Sequence, residues 1–391
     1  MSDVVIVEAV RSPLGKRKGG LSGTHSTELL SKVQGELFNR SKVDPKEVGQ
    51  VVGGCVGQVG MQAMNIARNA WLSAGLPIEV PASTVDAQCG SSQQATNLAY
   101  ALVKSGVVDA AVGCGVEVMS RVPMGATIPK EPAVGKPVTK AYWKHHEWTS
   151  QFDGADRIAK QWNISREDTD AFGKLSQDRA AQAWAEGRFD SQILPIEAPE
   201  LDDDRKPLES THIVSRDEGL RETTLGGLAG LRTNLPDGVH TAGTSSQISD
   251  GAGAVLMMTR EKAQALGLTP KATIVDTCLV GSDPVLMLTG PIFATQKLLA
   301  ANGMQMSDID VVEINEAFAS VVLAWEKELQ PDMETVNPNG GAIALGHPLG
   351  GTGAVLLTKA IHELERADKE NALVTMCCGG GLGTGTLLRR G

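Results

Sequence analysis

The stretch Ser307-Asp308-Ile309-Asp310-Val311-Val312-Glu313 echoes an earlier one, Pro45-Lys46-Glu47-Val48-Gly49-Gln50-Val51-Val52. In both, a polar turn leads into paired valines, the pattern of a short buried strand. Later in each half comes an apolar run carrying thiols. Asp109 to Gly115 contains Cys114, and Asn371 to Cys378 ends in Cys377-Cys378. The shared order of these segments predicts a duplicated α/β unit, with helices crossing between strands.

Working outward, Val4 to Ala9 reads as a buried strand, closed by Arg11-Ser12-Pro13. Helical periodicity covers 26–39, 62–74 and about 90–105, and strands are expected at 51–56, 82–87 and 109–116. Residues 119–248 are more densely charged than the rest of the chain, and include Asp202-Asp203-Asp204-Arg205-Lys206-Pro207. Helices are expected there at 154–162 and 166–186, the second capped by Ser165 before Arg166-Glu167-Asp168. The organisation expected is therefore a first half over 1–118, a solvent-facing insertion over 119–248, a helix and strand near 249–259 completing that half by residue 270, and a second half over 271–391.

The chain has 391 residues, a formal net charge of −10 and 44 glycines. That size buries a large core without covalent staples. The acidic balance argues against a non-specific nucleic-acid binder. The six cysteines, at 55, 89, 114, 278, 377 and 378, match neither a disulfide scaffold nor a paired metal motif. Reduced thiols fit a cytoplasmic enzyme. The opening residues read as an immediate strand, so no secretory leader is expected, and no run approaches the length of about 20 apolar residues that spans a membrane.

Four constellations carry chemistry. Cys89, in Val85-Asp86-Ala87-Gln88-Cys89-Gly90-Ser91-Ser92, stands at an expected strand-to-helix turn. Free N–H groups at a helix start favour a thiolate, and small neighbours leave room for a carbonyl. The bland alternative is an inert buried cysteine. His347 lies in the glycine-framed run 337–353, which lacks the lysine of a phosphate loop, and is a candidate base or a structural histidine. Cys377-Cys378-Gly379-Gly380-Gly381 places adjacent thiols on opposite faces of a strand, ahead of N–H groups able to meet an oxyanion. Asn315-Glu316 ends an apolar strand, where ligand crevices form in α/β folds. Together these imply thiol catalysis and leave peptidase, acyltransferase and thioester hydrolase open.

The ordered blocks resemble the thiolases, the family of 3-ketoacyl-CoA thiolases and acetyl-CoA acetyltransferases, over nearly the whole length. Val10-Arg11-Ser12-Pro13-Leu14-Gly15-Lys16, the Cys89 turn, residues 114–121, 250–254, 315–319, 340–350 and 377–383 carry the resemblance. It implies an α/β fold of two βαβαβαββ halves in a five-layer α-β-α-β-α arrangement with an inserted CoA-binding loop domain, assembled as a homodimer or homotetramer. It also implies roles. Cys89 takes the acyl group, His347 accepts its proton, and Cys377 is the acid/base at the acetyl α-carbon. Asn315 fixes a water that forms one oxyanion hole with His347. The N–H groups of Cys89 and Gly379 form the other. Ser246 and Phe318 flank the pantetheine arm, and Arg221 lies near the adenosine end. CoA and acyl-CoA are substrates, with no resident cofactor or metal. Cys378 stands where the family has an aliphatic residue, and is expected to pack.

The implied reaction is thiolysis of a 3-ketoacyl-CoA to acetyl-CoA and a shortened acyl-CoA. One departure concerns Gln151-Phe152, which replace the family's Met-Gly beside the acyl pocket, with Trp143, His145, His146 and Trp148 nearby. This stretch is more similar to actinobacterial steroid side-chain thiolases, and implies degradation of a fatty or bulky acyl chain. The alternatives are a biosynthetic acetoacetyl-CoA-forming acetyltransferase, a non-catalytic CoA- or lipid-binding relative, and a ketoacyl synthase.

Overall fold

A computed structural model describes residues 2–128 and 131–391; residues 129 and 130 of the expected insertion lie outside it. The first half runs β1 (Val4–Arg11), β2 (Gly15–Lys16), α1 (Ser26–Ser41), β3 (Gln50–Gly54), α2 (Ile66–Ser73), β4 (Ala82–Val85), α3 (Ser91–Lys104) and β5 (Ala110–Val118). Then come α4 (Gln151–Gln161), α5 (Arg166–Ala185), the hairpin β6 (Ile196–Leu201) and β7 (Pro207–Val214), and α6 (Leu225–Ala229). The chain returns through β8 (Ser249–Thr259) and α7 (Arg260–Ala265). The second half is β9 (Ala272–Gly281), α8 (Gly290–Asn302), β10 (Val311–Ile314), α9 (Ala319–Leu329), α10 (Thr352–Arg366), β11 (Asn371–Cys378) and β12 (Leu382–Arg390).

The duplication is visible strand by strand. One half is ordered β4-β3-β5-β8-β1 and the other β10-β11-β12-β9, joined where β1 pairs with β9. Within each half the two inner strands are parallel, β3 with β5 and β10 with β11. Both then turn antiparallel, β5 to β8 and β11 to β12. The partner of β10 that matches β4 is reduced to one parallel bridge, Val312 to Val336.

Apolar periodicity sorts the helices into layers. Leu29, Leu30, Val33 and Leu37 of α1, with Ile66 and Trp71 of α2, cover the outer face of the first half. Ile292 and Leu298 of α8, with Val322 and Trp325 of α9, cover that of the second. Between the halves lie α3 and α10, buried against strands of both. The result is the duplicated five-layer α/β arrangement.

Three elements depart from the sequence expectation. The helix expected over 62–74 starts at Ile66, because Met64 and Asn65 take left-handed backbone, with φ of 57° and 59°. The helix expected from 154 begins at Gln151, since the Ser150 side chain accepts from Asp153 N. Residues 249–259 form one continuous strand, and the helix follows it.

The insertion is fastened to the core by a buried ion pair. Arg11, at the end of β1, donates to both Asp217 carboxylate oxygens, at 2.7 and 3.0 Å, and to Gln192 Oε1 at 2.7 Å. Asp217 also accepts from Leu14 N at 2.8 Å. Full hydrogen bonding of both ions offsets their loss of water.

The two central helices approach backbone to backbone. Ala354 N donates to Ser92 Oγ at 2.9 Å. A Cβ on Gly353 would fall 2.3 Å from Gln93 N, so glycine is required there by contact. Gly353→Ala is expected to lower the stability of the folded chain by about 1–3 kcal/mol, the usual overpacking penalty, measured by urea denaturation. An unchanged midpoint would show that the helices separate freely.

Candidate active site

Cys89 sits between β4 and α3, in a turn braced from within. Gln88, just before it, has φ of 52°, a left-handed backbone that costs a non-glycine residue of order 1–3 kcal/mol. Its N–H donates to Asp86 Oδ1 at 2.7 Å, and its carbonyl accepts from Ser91 Oγ at 2.6 Å. Ser91 Oγ in turn accepts from Ala87 N at 3.0 Å. The turn aims the thiol toward the glycine-rich end of β11.

Burial pushes the Cys89 thiol up to about 11, partly opposed by hydrogen bonds from the Gly379 and Cys89 backbone N–H groups. The helix-terminus argument for a thiolate is thus outweighed by burial, and the resting group is a thiol. The two amides that oppose the shift are those expected to line one oxyanion hole.

Cys377 lies near the end of β11, paired across the ladder with Gly383. Its thiol is fully buried, and its pKa is held well above the ordinary value by burial and by the neighbouring Cys89 and Cys378 thiols. The Asn315 side chain is its hydrogen-bond partner. The two adjacent thiols face opposite ways. Cys378 packs in the central core with Cys89, and Cys377 faces the cluster containing Phe318, Leu288 and Ile158.

Asn315, directly after β10, is held by its N–H to the Thr375 carbonyl at 3.1 Å. Its Nδ2 reaches His347 Nε2 at 3.4 Å, while its buried Oδ1 has no protein partner. His347 is oriented by Thr352 Oγ1, 2.6 Å from Nδ1, and by its own N–H donated to Ser249 Oγ at 3.0 Å. A proton on Nδ1 donated to Thr352 leaves Nε2 as the acceptor facing Asn315; this tautomer follows from the Asn315 orientation. Burial lowers the imidazole to about 4, so it is neutral at physiological pH and able to accept a proton.

The structure therefore links Cys89, Gly379, Cys377, Asn315 and His347 into one chain of contacts. Absent from the sequence expectations are Thr352, whose hydroxyl meets the imidazole, and Ser249, which accepts the His347 backbone N–H. The only signal for Thr352 was a hydroxyl opening the helix after His347.

Toward the insertion, Ser246 N donates to the Ala317 carbonyl at 2.9 Å, against the segment carrying Phe318. Phe318 is 3% exposed, packed edge-on against Phe152 at 5.4 Å and His240 at 5.3 Å. Phe152 and Gln151 occupy the first turn of α4, and Gln151 Nε2 lies 3.8 Å from Met124 Sδ. Arg221 is exposed and lines a cleft of about 240 Å3 with Thr223, Thr224 and Gly243. Trp143, His145, His146 and Trp148 are exposed. Tyr142 gathers Trp143, His146 and Trp148 around it at 6.3, 5.4 and 5.8 Å.

The family models for the thiolase N-terminal and C-terminal domains match residues 4–261 and 268–390. The chain belongs to the thiolase family. It is 43% identical to the steroid 3-ketoacyl-CoA thiolase FadA6 of Mycobacterium tuberculosis, over 100% of this chain and 95% of that protein. It is 40% identical to a 3-ketoacyl-CoA thiolase of Bacillus subtilis, over 98% of each. The crystal structure of the Bacillus anthracis acetyl-CoA acetyltransferase superposes with a TM-score of 0.91 at 36% identity, covering 100% of this chain and 99% of that one. This thiolase is thus an acyltransferase working by thiolysis through a cysteine nucleophile.

Because burial holds the Cys89 thiol protonated, its alkylation by iodoacetamide in the ligand-free enzyme should keep accelerating from pH 7 to pH 10. Peptide mass spectrometry of Cys89 reads this directly. A rate already flat at pH 8 would show a thiolate formed near neutrality.

Proposed function

We propose that this thiolase cleaves a 3-ketoacyl-CoA with a bulky acyl group, in the degradative direction. The observation that carries the reading is the apolar wall at the site. Phe152, in the first turn of α4 where the family resemblance expects glycine, packs edge-on against Phe318 and onto the apolar cluster that contains Cys377. The likeness to a relative named a steroid 3-ketoacyl-CoA thiolase supports it.

In this reading Cys89 attacks the 3-keto carbon and His347 takes its proton. The Cα–Cβ bond breaks, and the departing acetyl-CoA enolate takes a proton from Cys377. Its thioester oxygen is stabilised by His347 and a water on Asn315, whose buried Oδ1 is free of protein donors. The Cys89 and Gly379 N–H groups stabilise the oxyanion formed on the keto carbon. CoA then gives its thiol proton to Cys377 and attacks the acyl-enzyme, returning Cys89. A neutral imidazole and two protonated thiols are the resting states this sequence needs.

CoA would run from Arg221, at the mouth of its cleft, past Ser246 to Phe318, along the insertion over 119–248. We place the enzyme in the cytoplasm as a homodimer or homotetramer. No helix among the described residues is long and apolar enough to cross a membrane.

The substrate test is a kcat/KM panel across straight-chain and polycyclic 3-ketoacyl-CoAs. The bulky-substrate reading expects acetoacetyl-CoA to be the poorest, with Phe152→Ala altering the ranking of long and polycyclic chains. Acetoacetyl-CoA cleaved far faster than all others would favour a short-chain acetyltransferase. For mechanism, Cys377→Ala should still acylate Cys89 from a reactive thioester but lower C–C cleavage by about 100-fold or more, the scale of a lost general acid/base. Intact mass and steady-state thiolysis give the two readings. Undiminished thiolysis would remove Cys377 from the role.

A further inference from the structure

The duplicated fold carries a second, altered copy of the active centre. In the second half, Asn315 follows β10, Cys377 lies one residue before the end of β11, and α10 starts two residues after Gly350. In the first half, Cys55 follows β3, Glu117 lies near the end of β5, and α3 starts two residues after Cys89. The strand registers correspond, Val51 pairing with Val112 and Val311 with Ala372. Cys55 thereby matches Asn315, Glu117 matches Cys377, and Gly350 matches Cys89.

The contacts match as well. Cys377 touches Asn315 from its own half and Cys89 from the other half. Glu117 meets the Cys55 thiol of its own half at 3.8 Å, and the Gly350 N–H of the other half at 3.0 Å. Gly350 leaves no side chain where the nucleophile would stand, and a Cβ there would lie 2.7 Å from Cys55 Cα. The second centre has therefore lost a nucleophile and gained a carboxylate.

That carboxylate is surrounded by donors. Oε2 accepts from Val56 N and Gly350 N, each at 3.0 Å. Oε1 accepts from Gly57 N at 3.0 Å and Gln62 Nε2 at 2.5 Å. The side chain is only 1% exposed, and burial raises its pKa, while these four donors favour the charged form and oppose that shift. Gly350 lies between His347 and the Thr352 hydroxyl that orients its ring. The N–H bond to Glu117 therefore anchors the turn carrying both residues to the end of β5.

We propose that Glu117 is a positioning residue for the reaction, fixing the His347–Thr352 turn from the altered copy of the active centre. The inference rests on the reading of His347 as the base. Glu117 acts through Gly350 and touches no reacting atom. Its charge also bears on Cys89 across the short distance between the two centres.

The test is Glu117→Gln, whose amide presents one acceptor oxygen where the carboxylate presents two and turns an NH2 against backbone donors. The expected outcome is a fall in kcat of about tenfold or more, the cost of a misaligned base, with KM for CoA unchanged within about twofold. A second reading comes from Cys89 alkylation against pH. The titratable groups that bear on Cys89 are Asp86, Glu117, Cys377 and Cys378. Loss of the Glu117 anion should shift the midpoint to lower pH, which a purely structural loss would not do.

Wild-type activity tests the function; the variant-to-wild-type ratio tests this inference. Unchanged kcat in Glu117→Gln overturns it, as does a kcat loss matched by an equal KM rise with no alkylation shift. If that variant does not fold, Gln62→Glu decides, since it takes away the amide donor to Glu117, keeps an acceptor for Val118 N and Ser26 Oγ, and leaves the three backbone N–H groups. A kcat loss of about threefold, with KM for CoA retained, supports the proposal, and an unchanged kcat overturns it.

Discussion

Everything at the catalytic centre depends on the close approach of α3 and α10. They touch at their N-terminal turns, where Ser92 Oγ accepts from Ala354 N and Gly353 abuts the backbone of Gln93. Cys89 lies just before one helix and His347 just before the other. Bringing the two helix starts together therefore brings the proposed nucleophile, Cys89, and the proposed base, His347, to the same seam. The remaining partners, Asn315 and Cys377, come from adjacent parallel strands of the second half. Residues distant in the chain meet because two copies of one unit face each other, each directing its strand ends toward the same seam.

Burial sets the electrostatics of this seam. It raises both thiols and lowers the imidazole, so the resting site holds neutral groups. Each is uncharged before a proton moves, and charge develops only during reaction. The fixed dipoles needed then are in place: the N–H groups of Cys89 and Gly379, and the Asn315 amide beside His347. Preorganised donors in a site shielded from water are the strongest stabilisation available to a developing oxyanion.

The insertion contributes a wall as well as a cover. Arg11 and Asp217 hold it to the core, and Ser176 of α5 donates to Glu316 at 2.6 Å, next to Asn315. Glu316 also accepts from Asn337 Nδ2 at 2.9 Å and Ile343 N at 3.1 Å. One carboxylate thus joins the insertion, the end of β10 and the loop leading to His347. Against this frame α4 presents Phe152 to Phe318, so the proposed acyl side of the site is lined from the segment between β5 and β8.

The sequence by itself determined the class of fold and the repeat, and it singled out the side chains proposed to react. Paired valines after polar turns marked equivalent strands, because a strand buried on both faces must be apolar throughout. Cys89, His347, Asn315 and Cys377 stood out as reactive or polar residues in otherwise apolar or glycine-rich surroundings. Local propensity misplaced helix starts at Ile66 and Gln151, where left-handed residues and a serine cap decide the boundary. Only the tertiary structure decided the protonation states, since burial reversed the thiolate expected from a helix start. It alone supplied Thr352, Ser249 and Glu117, whose roles depend on contacts between segments far apart in the chain. A motif can name the atoms that react, but their orientation and charge depend on neighbours that only folding brings within reach.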